Sequence, residues 1–431
     1  MPVDQNHILM QHHKHLLSPG PIDMDRLANG LRIYSNTIPH VNSITAGIWI
    51  NAGSREDPSS RPGLAHFLEH AVFKGTRSRD YIAIARCIEQ VGGYIDAFTT
   101  KENTCIYIRC LKEHSELAFD LLSDLVCNPL LPEGEIEKEK EVIIEEIHGI
   151  QDSPDELIFD HFDELAFPDH PIGTSILGTE KSIDSISPKN LRSFLDRHYV
   201  AQNMLLTVIG NIAHEDVMLE AEKRFNSLDG QKKPSSSERT FKQAYYRPFL
   251  RRDIKQLYQE HLLFGGTAER NDRHFYSLLL LNTILSGGMS SILNLELREK
   301  NPLAYNVYSS LTCFDDTTML NVYAGIDPEH TDRVLESIKN VLKPETFSSL
   351  STDELLAAKN RLKGSMVMET EKMTNRMAKA ARDIFYFGRP VDLKEKLRGI
   401  EAVRAEDIAA AAASLNLDTQ ASLLIYEPAE N

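Results

Sequence analysis

Two histidines and a glutamate lie at helical spacing near the start of the chain, in the segment His66-Phe67-Leu68-Glu69-His70. Residues three and four positions apart share one face of an α-helix, so His66, Glu69 and His70 should project together. The flanking residues are apolar, which predicts a buried helix. Two imidazoles and a carboxylate are costly to bury unless a partner satisfies them. A metal ion bound by the imidazoles is the simplest partner, and a hydrogen-bonded pair of core histidines is the alternative.

The order His-x-x-Glu-His is the inverse of the common zinc-protease helix motif and is known as the inverzincin signature. Ser60 is a plausible N-cap for this helix, and Pro62 suits its first turn. Catalytic zinc sites take three protein ligands, so a third ligand is needed to support the metal interpretation.

A second helix, predicted over residues 135–149, offers that third ligand. Its buried stripe is predicted from three isoleucines: Ile136, Ile143 and Ile147. At 3.6 residues per turn, Glu139 and Glu146 lie on one margin of that stripe, whereas Glu141 and Glu145 face water. A solvated acidic face is the ordinary interpretation of such a helix, and it suffices for Glu141 and Glu145. Glu139 and Glu146 are the two acidic residues of this helix whose side chains can point toward the protein interior.

Length and composition limit the possible classes of protein. With 431 residues the chain should hold two or more domains. A net charge of −16 argues against nucleic acid as the main partner. That charge is compatible with basic peptide substrates, although a solvated acidic surface explains it equally well. No apolar run approaches the ~20 residues of a membrane span, so we expect no membrane partner.

The cellular location is predicted from the N-terminus and the cysteines. The first residues show neither an apolar signal core nor the character of a transit peptide. The five cysteines form an odd number and contain no Cys-x-x-Cys pair, which favours buried thiols in a reducing compartment. We therefore expect a cytoplasmic protein.

An internal repeat predicts a duplicated domain. The pattern of residues 114–122 recurs at 330–338, and the isoleucine stripe recurs 219 positions later as Leu355, Leu362 and Met366. The second copy has Ala358 and Ser365 where Glu139 and Glu146 stand, and it has no His-x-x-Glu-His. Only the first copy should therefore bind metal.

The predicted domain limits follow from this repeat. The segment 229–240 is polar and rich in turn formers, which indicates a linker. The N-terminal domain is then 1–228 and carries the metal ligands. The C-terminal domain is 241–431 and lacks them.

With Glu146 included, the pattern resembles the pitrilysin family of metallopeptidases, which includes insulin-degrading enzymes and mitochondrial processing peptidases. The resemblance spans nearly the whole chain and is carried by seven segments: 29–32, 52–56, 63–75, 97–104, 139–146, 287–291 and 297–307. It implies a pair of homologous α+β domains, each an antiparallel sheet flanked by helices. Propensity alone supports only a mixture of helix and strand.

The resemblance also implies a role for each residue of the motif. His66, His70 and Glu146 would hold one Zn²⁺ per chain, and Glu69 would be the catalytic base. Glu139 matches a supporting carboxylate that orients a ligand imidazole. Two histidines and one glutamate leave a fourth coordination position open, as in a catalytic zinc site.

Further residues enter through the resemblance alone. Arg298 and Tyr305 match a pair that grips the scissile region, and both are donors suited to a developing oxyanion. Without the family, a surface cation and a strand aromatic are the ordinary interpretations. An edge strand that pairs with substrate corresponds to Asp96, Ala97, Phe98 and Thr99. This chain departs from many relatives at Asp96, where Asn is common, and at Ile292, where Arg is common.

The implied function is a zinc endopeptidase that cuts peptides or unfolded segments inside a dimeric chamber. The dimer would be a homodimer or a heterodimer with a related subunit, and Arg298 and Tyr305 would serve the zinc site of the partner. The alternative is a non-catalytic scaffold or partner subunit of a heterodimeric peptidase. A metal-storage role is weaker, because such a site has no use for the unligated Glu69.

Overall fold

The computed structural model describes residues 20–230 and 239–429. The N-terminal segment used to predict the location, and most of the predicted linker 229–240, lie outside these residues. Within the described ranges, no helix is both long enough and apolar enough to span a membrane.

The described residues contain two β-sheets. The first is built from β1 (Ile22–Arg26), β2 (Arg32–Thr37), β3 (Ser43–Ile50), β4 (Tyr94–Thr99), β5 (Thr104–Leu111) and β6 (Met204–Gly210). The second is built from β7 (Leu250–Lys255), β8 (Glu260–Glu269), β9 (Ala304–Cys313), β10 (Thr317–Ile326) and β11 (Ser422–Pro428).

The strand order is β1-β2-β6-β3-β5-β4 in the first sheet and β7-β11-β8-β10-β9 in the second. The predicted α+β class is confirmed, but the prediction of purely antiparallel sheets is corrected. Each sheet holds one parallel pair, β2 with β6 and β7 with β11. Parallel neighbours need a long crossover. Here each crossover contains most of the residues of its domain, so no local sequence pattern predicts the parallel pair.

The two sheets repeat one topology. The order β2-β6-β3-β5-β4 matches β7-β11-β8-β10-β9, and the single parallel pair falls at the same place in both. This agreement supports the duplication predicted from the sequence.

Helices cover the sheets. In the first half they are α1 (Leu64–Val72), α2 (Tyr81–Glu89), α3 (Ser115–Cys127), α4 (Glu133–Gln151), α5 (Pro154–Ala166), α6 (Glu180–Ser185), α7 (Pro188–His198) and α8 (His214–Phe225). In the second half they are α9 (Phe275–Ser286), α10 (Ile292–Asn294), α11 (Thr331–Val341), α12 (Pro344–Ser348), α13 (Thr352–Glu369), α14 (Met373–Phe387), α15 (Leu393–Ala402), α16 (Ala405–Ser414) and α17 (Leu417–Gln420).

Two helices pack against the sheet that is distant from them in sequence. The first compact unit contains β1–β6 and also residues 367–394, so that α14 packs on β3 and β6. The second unit contains β7–β11 and also residues 148–174, so that α5 packs on β8 and β11. The predicted limits at 228 and 241 remain a prediction of where the two copies meet, because the compact units follow a different division.

Candidate functional site

The motif helix α1 begins at an unusual cap. Its N-cap residue is Gly63 with φ +88°, where a Cβ atom would lie 2.5 Å from the carbonyl oxygen of Leu177. The Asp57 carboxylate accepts hydrogen bonds from the backbone N–H groups of Gly63, Leu64 and Ala65 at 2.8, 3.1 and 2.9 Å. A carboxylate at the positive end of a helix is favourable. The predicted N-cap Ser60 is therefore wrong, since Asp57 satisfies these donors from the preceding loop.

The helix is buried, as its apolar flanks predict. His66 is 9% and Glu69 8% exposed, and α1 packs against β4, β5 and α7. The rings of His66 and His70 meet edge to face with their centroids 4.6 Å apart. The shared helix face predicted for the motif is present.

Helix α4 brings a carboxylate to these rings. Glu146 Oε2 lies 3.7 Å from His66 Nε2 and 3.7 Å from His70 Nε2. One ligand atom from each of the three residues lies within 4.8 Å of the others. Ligand atoms held ~2.1 Å from a tetrahedral zinc are about 3.4 Å apart, so the arrangement fits zinc with little adjustment. The Glu146 side chain is 42% exposed, which leaves this site open to solvent.

The rest of α4 is oriented as the helical period predicts. The isoleucine stripe is buried, and Glu139 is buried beside it. Glu141 and Glu145 are exposed.

Glu139 contacts the predicted ligand His70 at Nδ1, the ring nitrogen that faces away from Glu146. Its Oε1 lies 2.8 Å from His70 Nδ1, and its Oε2 lies 2.5 Å from Lys74 Nζ. A carboxylate on Nδ1 leaves Nε2, the nitrogen nearer Glu146, available to a metal. The Nε2 atom of His66 likewise faces Glu146, at 3.7 Å, whereas its Nδ1 is buried and has no hydrogen-bond partner among the described residues.

The two imidazoles differ in electrostatic environment. Burial, and then the neighbouring His70, lower the pKa of His66 to about 3. Burial alone would lower the pKa of His70, but the hydrogen bond to Glu139 and the charges of Glu146 and Glu69 raise it overall. A neutral imidazole is the form that binds metal, and the lowered pKa of His66 favours that form.

Glu69 is suited to handle protons. Its Oε2 accepts a 2.5 Å hydrogen bond from the Thr99 hydroxyl. Burial raises the pKa of the Glu69 carboxyl, and the Thr99 hydrogen bond offsets part of that rise. The charge of Glu69 acts on the buried Tyr199 hydroxyl, which has no hydrogen-bond partner among the described residues. Burial and the charge of Glu69 raise the pKa of Tyr199, so its phenol stays protonated.

The segment 96–99 lies in β4, an edge strand of the first sheet. The Asp96 carboxylate accepts hydrogen bonds from the Tyr94 hydroxyl at 3.1 Å, the Tyr107 hydroxyl at 3.0 Å and the Ala97 N–H at 2.9 Å. A carboxylate can only accept hydrogen bonds, whereas the Asn that the resemblance implies at this position also donates. Any contact between residue 96 and a substrate carbonyl must therefore differ in this chain.

Two local irregularities present Arg298 and Tyr305. Helix α10 continues as a π-helical turn, Leu295–Glu299, which carries Arg298. The pairing of β9 with β10 shifts register at Gly325 and Ile326, so that Tyr305 is a bulged residue on an edge strand. Both features are common at functional sites. Arg298 and Tyr305 line one cavity of about 410 Å³ together with Asp327 and His330. Ile292, where relatives often carry Arg, packs on the apolar core of this unit.

Sequence reasoning missed three residues near the motif. Lys74 lies one helical turn after His70, a spacing that places both on one side of α1 and that could have pointed to it. Asp57 acts from the loop before α1, and Tyr199 is a residue of a distant segment on which the charge of Glu69 acts. No local pattern marks either residue.

The chain was compared with known proteins. The profile of insulinase (peptidase family M16) matches residues 32–180, and the profile of the peptidase M16 inactive domain matches residues 185–362. Proteins named uncharacterized zinc proteases are similar over most of their length. The one from Bacillus subtilis is 33% identical over 92% of this chain and 96% of its own. The one from Mycobacterium tuberculosis strain H37Rv is 34% identical over 90% of this chain and 89% of its own length.

Two solved structures share the fold. A protease from Helicobacter pylori superimposes with a TM-score of 0.87 at 21% identity, covering 95% of this chain and 100% of that one. A peptidase M16 inactive domain from Pseudomonas fluorescens superimposes with a TM-score of 0.85 at 21% identity. The match covers 95% of this chain and 98% of that one. The resemblance stated from the motifs is thus confirmed, and the chain belongs to the insulinase family of peptidases, family M16.

Proposed function

We propose that this protein is a zinc-dependent endopeptidase acting on peptides or unfolded segments. The observation that carries the proposal is the convergence of His66, His70 and Glu146 on one point, beside a buried Glu69 that is not needed as a ligand. Relatives named zinc proteases support it.

The three residues would hold one zinc ion per chain. Bound there, zinc supplies Lewis acidity that polarises a scissile carbonyl. Glu69 accepts a proton from the attacking water and passes it to the leaving amine. Its raised pKa, caused first by burial, makes it a better base than an exposed carboxylate. Glu139 orients His70 from the side away from the site.

Substrate binding is proposed for two edge strands. An extended peptide would add to the free edge of β4, the strand that contains residues 96–99. Arg298 and Tyr305 would donate hydrogen bonds to the scissile region. They belong to the second compact unit, whereas the three zinc ligands and Glu69 belong to the first.

Removal of metal is the direct test of the proposed function. We expect a strong chelator to stop cleavage of an internally quenched peptide, and one equivalent of zinc to restore it. The measurement is fluorescence of the cleaved peptide against zinc content per chain. A purified protein that takes up no zinc and cleaves nothing contradicts the proposal and favours a scaffold role. Cleavage that is equal with and without zinc also contradicts the proposal, because it would mean a peptidase that does not depend on zinc.

We further propose that the chain works as a dimer, a homodimer or a pair with a related subunit, in which Arg298 and Tyr305 serve the zinc site of the partner. Mixing equal amounts of Glu69→Gln and Arg298→Ala chains should then restore activity to about a quarter of wild type. Half of the dimers would be mixed, and each mixed dimer would contain one intact site of its two. The controls are each variant alone and a mixture of Glu69→Gln chains with Arg273→Ala chains. Activity that never rises above either parent rules out assembly in trans.

A cytoplasmic location remains a prediction. None of the five cysteines, all of which lie within the described residues, forms a disulfide, as a reducing compartment favours.

A further inference from the structure

Lys74 lies just beyond the C-terminal end of the motif helix. Helix α1 ends at Val72, and the Lys74 backbone N–H continues the turn by donating to the carbonyl of Ala71 at 3.1 Å. This turn directs the Lys74 side chain toward α4, where its Nζ lies 2.5 Å from Glu139 Oε2. A residue adjoining the motif thus contacts the carboxylate that supports one of the motif's histidines.

The two oxygens of Glu139 have different partners. Oε1 lies 2.8 Å from His70 Nδ1, and Oε2 bonds Lys74. The Glu139 side chain is only 6% exposed, so water cannot readily replace either partner. A buried carboxylate that loses one charged partner is strongly unfavourable, and it reorients or repacks to find another. Lys74 therefore decides which way the carboxylate faces.

Lys138, on the helix that carries Glu139, has a different environment. Lys138 bonds Glu135 at 2.7 Å, one turn away on the same helix, and its side chain is 73% exposed. Such surface pairs contribute little. The Lys74–Glu139 pair joins two helices, and one of its members is buried. Surface solvation accounts for Lys138 and does not account for Lys74.

We propose that Lys74 is a positioning residue of the metal site. By holding Glu139 Oε2, it fixes the carboxylate so that Oε1 accepts the Nδ1–H of His70, and His70 Nε2 is left directed toward Glu146. The inference rests on the proposed zinc site and adds a member that touches neither metal nor substrate. It predicts that Lys74 acts on zinc affinity, and that it does so through Glu139.

The test is a zinc titration of the full chain, with affinity measured by competition against a chelator. Loss of a partner outside the ligands weakens metal binding about 10- to 100-fold. We expect Lys74→Met to weaken zinc binding about tenfold, at the low end, since it acts through Glu139. Lys74→Arg should recover most of the affinity, because Lys74 borders an open cavity of about 480 Å³ that can accept the larger cation. The matched control Lys138→Met should bind zinc as the wild type does.

A double variant separates positioning from a general structural role. If Lys74 acts through Glu139, then Lys74→Met in a Glu139→Gln background should cause little further loss. A loss of the same size in both backgrounds overturns the proposal, as does wild-type affinity in Lys74→Met. The unfolding temperature of the zinc-free variants provides a second readout, and a fall confined to Lys74→Met would indicate a structural role.

Glu146→Gln distinguishes failure of this inference from failure of the proposed function. If Glu146→Gln retains zinc affinity, the site itself is wrong. If Glu146→Gln loses zinc while Lys74→Met keeps it, the site stands and only the role of Lys74 is wrong.

Discussion

Glu69→Gln is expected to abolish peptide cleavage while zinc stays bound. The amide has nearly the shape of the carboxylate and can still accept the hydrogen bond from Thr99, which is 2.5 Å long in the wild-type protein. It cannot take a proton from water. A positioned general base contributes about 10²- to 10⁴-fold, and Glu69 would also deliver the proton to the leaving amine. We therefore expect kcat to fall at least about 10³-fold. Initial rates on a quenched peptide provide the measurement.

Two controls protect this interpretation. Zinc content per chain and the unfolding temperature of Glu69→Gln should match the wild type, since Glu69 is not one of the converging ligands. If the variant cleaves at a rate within about tenfold of wild type, another group is the base. If it loses zinc, Glu69 is a ligand and the assignment of Glu146 must be reconsidered.

Glu146→Gln is expected to release the metal. Glu146 supplies the anionic ligand of the proposed set, 3.7 Å from each imidazole Nε2, and an amide oxygen is a neutral and weaker ligand. Loss of a partner outside the ligands already weakens binding about 10- to 100-fold, so loss of a ligand should exceed about 100-fold. Chelator competition measures the affinity, and cleavage at limiting zinc should fall in parallel.

The neighbouring Glu145→Gln is the matched control. It removes the same charge from the adjacent position of α4, where the residue is exposed and outside the converging set. It should bind zinc as the wild type does. Equal losses in both variants would mean that the general negative charge of α4 matters and that Glu146 is not a ligand.

The motif chemistry could be predicted from local periodicity. An α-helix turns every 3.6 residues whatever surrounds it, so the spacing of His66, Glu69 and His70 determined their common face. The same period selected Glu139 and Glu146 among the acidic residues of α4. Glu139 is buried against His70, and Glu146 lies beside both imidazoles although its side chain is partly exposed.

What covers each sheet was decided only by tertiary structure. The apolar stripe of an amphipathic helix predicts that one face is buried, but it does not predict which sheet that face packs against. Helix α5 follows the segment of the proposed zinc ligands in sequence, yet it packs on the second sheet, while α14 packs on the first. The parallel pairs β2–β6 and β7–β11 likewise depend on distant strands meeting.

Helical spacing by itself placed the proposed metal ligands and the proposed base on inward helix faces, and the repeat pattern indicated a duplicated domain, because these signals are local or recurrent. The α+β architecture and the roles of the residues came from the family resemblance. Tertiary structure alone decided that Asp57 caps the motif helix, that Lys74 bonds Glu139, and that a π-helical turn and a β-bulge present Arg298 and Tyr305. Lys74 and Glu139 lie in separate segments whose meeting depends on the packing of the domain, and no short pattern encodes that packing. Asp57 is only six to eight residues from the N–H groups that it binds, and its contact depends on the conformation of the loop between them.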